Sequence, residues 1–195
     1  MALIRWDITG SNDRRIEGDG VFVRHPRPAD FEAWAQLRGA SRAFLTPWEP
    51  AWTEDELSRA AFRRRLRRYA EDIQAGRSAP FFIFRAEDEA LVGGVTLSNI
   101  RRGVAQTASL GYWAGAEHAR RGHTGAAVQT ILRYAFDFLN LHRVEAATLP
   151  ENAASRALLV KLGFREEGLA REYLRINGVW RDHVLYGRLR LDRSA

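Results

Sequence analysis

The sequence predicts an α+β fold, a mixed and mostly antiparallel sheet flanked by helices. Three observations carry that reading. Strand-length apolar runs at Phe81–Phe84, Leu91–Leu97 and Thr107–Trp113 follow one another across short polar turns, as in an antiparallel meander. Helix-period segments stand before and after the meander instead of alternating with every strand. The chain closes on two more strand runs joined by Asn177-Gly178, a dipeptide suited to a two-residue hairpin turn.

Residues 1–20 mix Gly10, Ser11, Asn12, Gly18 and Gly20 with charges, and read as an irregular arm before a single domain at 21–190. Val21–Arg24 is a strand stopped by Pro26 and Pro28. Pro28-Ala29-Asp30 opens a helix reaching about Arg38, since proline suits a first turn and Asp30 its positive end. Phe44–Pro50, with two prolines, reads as a loop. Thr53 and Glu56 have the form of a capping box, which predicts a helix starting there. Leu57, Phe62, Leu66, Tyr69 and Ile73 give it an apolar face, and Gly76 ends it. Arg63, Arg64, Arg65, Arg67 and Arg68 form its other face, read as solvated.

Beyond the meander, a helix follows Gly122, with Val128, Ile131, Leu132, Ala135 and Leu139 on one face. Arg143–Thr148 is a strand ended by Pro150. Asn152 caps a helix through Leu162, which Gly163 closes. The final pair of strands lies at Arg171–Ile176 and Trp180–Leu189.

Composition narrows the setting. Hydrophobic residues at 46% and charged residues at 28% are ordinary for a soluble globular domain. No apolar run nears the roughly 18 residues of a membrane span. The absence of cysteine excludes disulfides, thiolate nucleophiles and cysteine zinc sites, and fits a cytoplasmic setting. His118, His123 and His142 lack ligand spacing with carboxylates, so no metal is expected. A net charge of +6 raises the question of a polyanionic partner. Only Lys161 among the thirty basic residues is a lysine, a skew better explained by codon composition. No dedicated nucleic-acid binding is expected.

The segment ARRGHTGAA at 119–127 lies between a strand and a helix. Outward amides at a helix N-terminus, a glycine permitting close approach and the cations Arg120 and Arg121 together make an anion cradle. It has neither the Gly-Lys-Ser/Thr ending of an NTPase loop nor the G-x-G-x-x-G of a dinucleotide fold. By residues alone, Asn152 is an ordinary helix cap and Ser155 a first-turn serine.

This loop resembles the pyrophosphate-binding loop of the GNAT acetyltransferases. The likeness runs from Val21 to Arg190 through FLTPWEP at 44–50, LGYWAG at 110–115, LHRVEAATLPENAAS at 141–155, LLVKLGFREEG at 158–168 and EYLRINGVWRDH at 172–183. Within the family the chain is most similar to the branch that acetylates the N-terminal alanine of a ribosomal protein. The resemblance implies acetyl-CoA as cosubstrate, direct transfer without an acyl-enzyme, and a sheet splayed between its fourth and fifth strands. It assigns CoA contacts to Arg120, Arg121, Gly122, His123, Thr124, Gly125 and Asn152. Backbone near Tyr112 and Trp113 would polarise the thioester carbonyl, and Ser155 would give a proton to the thiolate. Glu172 matches a general-base position, with Asp182 and His183 as alternatives. Trp48, Tyr173 and Trp180 are candidate walls of the acceptor cleft, and Trp180 equally suits packing across the hairpin. The acceptor implied is a ribosomal-protein N-terminus or the small ribosomal subunit, and the enzyme a monomer or homodimer.

The chain departs from the family loop in three places. Ala119 and Thr124 stand where Gln or Arg and Gly or Ala are usual, with Arg120 and Gly125 one place later. Ala126 replaces a glutamate found in some relatives, so no base comes from there. An α-amine, with a pKa of about 8, is roughly a tenth neutral at pH 7, whereas lysine is neutral at about 0.04%. That favours an N-terminal amine for a site with one weakly specified base. The alternatives are a GNAT enzyme acting on a small amine, an antibiotic or a free amino acid, and a non-catalytic ribosome-assembly or regulatory factor.

Overall fold

The computed structural model describes residues 15–192. They form one eight-stranded sheet in the order β1-β2-β3-β4-β5-β6-β8-β7. The strands are β1 (Ile16–Glu17), β2 (Val21–Arg24), β3 (Ala79–Arg85), β4 (Leu91–Arg101), β5 (Thr107–Ala114), β6 (Arg143–Thr148), β7 (Arg165–Ile176) and β8 (Val179–Leu189). Every neighbouring pair is antiparallel except β5 and β6. The helices are α1 (Phe31–Ala40), α2 (Arg42–Leu45), α3 (Arg59–Gln74), α4 (His123–Arg133) and α5 (Ala153–Lys161).

The sheet has a core on each face. On one, Val128, Ile131 and Leu132 of α4 and Leu159 of α5 bury against Val23, Ile83, Leu97, Leu110, Val144 and Tyr186. On the other, Trp34 and Leu37 of α1 and Phe62 of α3 cover Phe22, Phe82 and Phe84. Strand alternation divides the sequence between them: Phe81 and Ile83 go to the first core, Phe82 and Phe84 to the second. The α4 face foreseen from its 3.6-residue period is the one buried. Five residues of π-helix, Tyr134–Phe138, extend α4, with the Leu139 amide donating to the Tyr134 carbonyl.

Four boundaries differ from the sequence reading. Ile16-Glu17 pairs with Phe22-Val23, so part of the supposed irregular arm is a short edge strand; residues 1–14 of that arm lie outside the described residues. Phe44–Pro50 is mostly helical: α2 runs into a 3-10 turn at Thr46–Trp48, whose early proline lacks only an amide the turn does not use. Thr53 does not cap α3. Its hydroxyl donates to Asp55 at 2.9 Å in a separate turn, and the cap is Ser58, whose Oγ accepts from the Ala61 amide at 3.0 Å. Asp55 and Glu56 instead pair with Arg64 and Arg65, leaving Arg63, Arg67 and Arg68 as the exposed remainder of the basic face. Finally, β7 starts at Arg165 rather than Arg171, because an edge strand rich in charge shows no apolar alternation.

The residues after α1 are fastened by a largely buried ion pair. Arg38, 5% exposed, donates to both Glu49 oxygens at 3.0 and 2.6 Å, and Glu49 also accepts from the Trp52 indole at 3.0 Å. The guanidinium lies over Trp52 and Trp113, 4.5 and 5.0 Å from the ring centroids. The Glu49 carbonyl in turn accepts from the Asn177 amide at 2.8 Å, docking the β7–β8 turn onto the same segment. Among the described residues no helix is long and apolar enough to cross a membrane.

Arg38→Ala strands the Glu49 carboxylate in this environment. We expect a loss of about 3 kcal/mol in chemical denaturation, as for other broken buried pairs. A loss below about 1 kcal/mol would mean that the loop is held by its aromatic packing alone.

Candidate active site

The site is set by where two strands part. The parallel pairing of β5 with β6 runs only from Thr107↔Arg143 to Leu110↔Ala146. Gly111–Ala114 then continues beside β4 alone, and Ala147–Thr148 beside β8 alone. The gap falls where the family resemblance placed it, one strand later in the count because of β1. Backbone groups of β5 that would have met β6 are left facing the gap.

The two walls are fixed by packing. Trp113 lies across Gly94: a Cβ there would sit 2.4 Å from the indole nitrogen, so the glycine is what lets the ring seat. Tyr112 points to the opposite face, and its hydroxyl is 2.8 Å from Ser155 Oγ. Burial pushes the Tyr112 phenol up to about 12, against the hydrogen bond to Ser155, which lowers it. Asn152 caps α5, its Oδ1 accepting from the Ser155 amide at 3.0 Å. The same helix turn is braced by Arg156, which donates to the Pro150 carbonyl and to the Tyr186 hydroxyl, each at 3.2 Å.

Residues 115–122 return the chain from β5 to α4. The Ala116 amide donates to Ser41 Oγ at 2.9 Å, tying the loop to the end of α1. Arg120 and Gly122 both have left-handed backbone, at φ 61° and 88°, and Gly122 precedes an α4 N-terminus that no side chain caps. A Cβ on Gly122 would meet nothing within 4 Å, so the space above it is open. Arg120 and Arg121 are exposed, with no hydrogen bond or ion pair recorded for their side chains among the described residues. The His123 and Thr124 amides open the helix, and Gly125 faces α5, where a Cβ would be 3.3 Å from Leu158. The Nδ1 atoms of His118 and His123 are buried without partners. Desolvation is the main cause that lowers the His118 pKa, so that ring stays neutral at pH 7. This is a cradle for anionic oxygens: free amides, a helix dipole and two unneutralised guanidinia.

A cavity of about 470 Å³ opens on the face of the sheet opposite α4, lined by Pro47, Trp48, Glu151, Ile176, Asn177, Val179 and Arg181. Apolar side chains supply most of its walls, and the paired Glu151 and Arg181 charges lie at one side. Glu151 directly precedes Asn152, so the cavity adjoins the first turn of α5. Trp48 lines it. Trp180 falls on the other strand face from Val179 and Arg181 and is 58% exposed, while Tyr173 sets its ring edge against His183 at 5.9 Å. Neither lines this cavity.

Glu172 sits in a bulge. Ala170 pairs with His183 and Leu174 with Arg181, so Arg171, Glu172 and Tyr173 together oppose Asp182. Glu172 has φ 45°, its amide donates to Asp182 Oδ1 at 2.8 Å, and its carboxylate has no recorded partner among the described residues. His183 is 3% exposed, with Nδ1 2.9 Å from the Arg181 carbonyl. That contact requires Nδ1 to carry the proton, leaving Nε2 as the acceptor in the neutral ring.

Sequence reasoning missed Pro47, Glu151, Asn177 and Arg181 as cavity residues, and the side-chain contact of Tyr112. Glu151 had a signal in its place beside Asn152. Asn177 was read for its turn alone. Among the described residues no cluster of three or more metal-binding side chains occurs.

The comparisons with known proteins agree with this geometry. The acetyltransferase (GNAT) domain model matches residues 21–165. The protein named probable N-acetyltransferase YjcK, of Bacillus subtilis, is 36% identical over 177 residues, covering 91% of this chain and 98% of its own. The [ribosomal protein uS5]-alanine N-acetyltransferase of Escherichia coli is 33% identical over 171 residues, 88% of each chain. The structure of Mycobacterium smegmatis RimJ in complex with CoA-disulfide superposes with a TM-score of 0.85 at 34% identity, covering 93% of this chain and 89% of that one. A splayed sheet, an anion cradle at a helix start and these likenesses along nearly the whole chain have one reading: the chain belongs to the GNAT acetyltransferases and is an acetyl-CoA-dependent N-acetyltransferase.

Proposed function

We propose that this enzyme acetylates the N-terminal α-amine of a ribosomal protein, alanine by preference, in the cytoplasm. The cavity between Trp48 and the β7–β8 turn is the observation that carries the acceptor reading. It is open to solvent, apolar enough for a short side chain, and adjoins the α5 turn bearing Ser155. Similarity to the uS5-alanine enzyme over 88% of both chains supports the choice of amine.

In this reading the CoA pyrophosphate rests on the amides of 122–125, with Arg120 and Arg121 closing on its oxygens. Asn152 and the backbone of Tyr112 and Trp113 flank the pantetheine arm in the gap. The thioester carbonyl meets a β5 amide, which stabilises the oxyanion as the amine nitrogen attacks the carbonyl carbon. Glu172 takes the proton released from the amine. As the tetrahedral intermediate collapses, the C–S electron pair leaves on sulfur, and the Ser155 hydroxyl donates to it. Trp48 forms one wall for the acceptor residue, opposite the β7–β8 turn.

Mass spectrometry of protein N-termini from host cells with and without the gene tests the assignment directly. Loss of acetylation at one ribosomal-protein alanine is the expected result. An unchanged ribosomal set, with purified enzyme active on a small-amine panel, would replace the acceptor.

Gly122→Glu should weaken CoA binding at least tenfold by calorimetry, since it puts a like charge and a Cβ into the cradle. Gly122→Asn, which tolerates left-handed backbone, should bind within a few-fold of wild type. Equal binding by the glutamate variant would move the phosphates elsewhere.

Glu172→Gln removes the base and keeps the shape. We expect kcat/KM to fall at pH 7 and largely recover by about pH 9, where an α-amine is already neutral. Full activity at pH 7 would pass the role to Asp182, His183 or water. Inactivity at every pH would make Glu172 a structural element of the bulge.

A further inference from the structure

We infer that Tyr112 is a positioning residue for the leaving-group step: its phenol donates to Ser155 Oγ and so commits the serine's own proton to the thioester sulfur. The inference rests on the reading of Ser155 as the group that meets the sulfur.

The geometry begins with a donor count. Ser155 has one hydroxyl proton, and the two hydroxyl oxygens are 2.8 Å apart, so one of them must donate to the other. If Ser155 donates to Tyr112, no proton is left for sulfur. If Tyr112 donates, the serine's proton is free to turn into the gap between β5 and β6. A phenol is far more acidic than an aliphatic alcohol, which makes Tyr112 the better donor of the two. Its other acceptor within reach, the Ser155 carbonyl, is 3.5 Å away, at the limit of a hydrogen bond.

Both partners are held from behind. Tyr112 lies on β5 opposite Val95 of β4 and packs into the core beneath α4. The Ser155 amide is fixed by the Asn152 cap, which leaves only the serine χ1 to be set, and Tyr112 sets it. The contact also crosses the place where the backbone ladder between β5 and β6 has ended. A side-chain bond there bridges β5 to α5 without closing the gap to the pantetheine arm.

The proton balance is simple. The amine nitrogen forms the new C–N bond, and its proton goes to the base and then to solvent. The C–S bond breaks with its electron pair on sulfur. A thiol of this kind has a pKa of about 8.5, so the thiolate needs a hydrogen bond more than a strong acid. Ser155 O–H supplies that bond, Tyr112 stays protonated throughout, and the thiolate takes its proton from water as CoA departs. Burial keeps the phenol neutral over the whole assay range, since its pKa is pushed up to about 12.

The test is the cycle of Tyr112→Phe, Ser155→Ala and the double variant, with kcat and the KM for acetyl-CoA measured for each. Phenylalanine retains the ring and its packing. We expect Tyr112→Phe to lower kcat about tenfold with KM within twofold, Ser155→Ala to lower it by at least as much, and the double variant to match Ser155→Ala. A merely structural tyrosine would raise KM together with any fall in kcat, and that result overturns the inference. So does a double variant whose loss is the product of the two single losses, because Tyr112 would then act independently of Ser155. If Ser155→Ala is impaired and Tyr112→Phe is unchanged, the serine reading stands and the tyrosine role falls. If Ser155→Ala retains full kcat, the serine reading fails and the tyrosine role fails with it.

Discussion

The gap at the centre of this site follows from a parallel ladder that stops after four residue pairs. Up to Leu110 and Ala146, β5 and β6 are ordinary neighbours; beyond that point each is held by its outer partner. A sheet does not separate without a cause, because unmet backbone groups are costly. Two features oppose the ladder here. Trp113 seats on Gly94 and draws the end of β5 toward β4, and Tyr112 reaches Ser155 in α5, whose first turn follows β6 after a short link. The N–H and C=O groups left over by the divergence become assets when a thioester carbonyl can use them.

The second constraint is electrostatic. A guanidinium as buried as Arg38 loses most of its hydration, and its pairing with Glu49 in general returns little net stability. What the pair supplies is position. Glu49 joins α1 to the segment carrying Trp48 through its side chain, and joins that segment to the β7–β8 turn through its carbonyl. Both sides of the cavity thus meet at one residue. Elements far apart in the chain, residues 47–48 and 176–181, are brought together around one cavity.

Legibility from sequence followed the strength of local signals. Strands β3, β4 and β5 were plain because both their faces are buried or alternate cleanly, and α4 because its apolar period is sustained. The charged edge of β7 gave no period, and Thr53 imitated a cap that Ser58 supplies. In the site, the cradle at 119–125 could be read because amides and glycine act locally. The Tyr112–Ser155 contact and the cavity walls could not, since the first joins residues 43 positions apart and the second gathers residues from 47–48, 151 and 176–181.

The arrangement makes chemical sense as a set of modest groups. Acetyl transfer from a thioester to an amine asks for removal of one proton and accommodation of one thiolate. An α-amine near pH 8 and a thiol near 8.5 are both within about two units of neutrality. Neither step then requires a strongly shifted acid or base, and the catalytic load falls on orientation and on the oxyanion. That matches what the fold provides: a bulge that extrudes one carboxylate, a capped helix turn that aims one hydroxyl, and a strand end with free amides. A lysine acceptor would lie more than two units further from neutrality. It would demand a base held away from solvent, and Glu172 on its bulge is exposed. The N-terminal amine proposed as acceptor fits a site built this lightly.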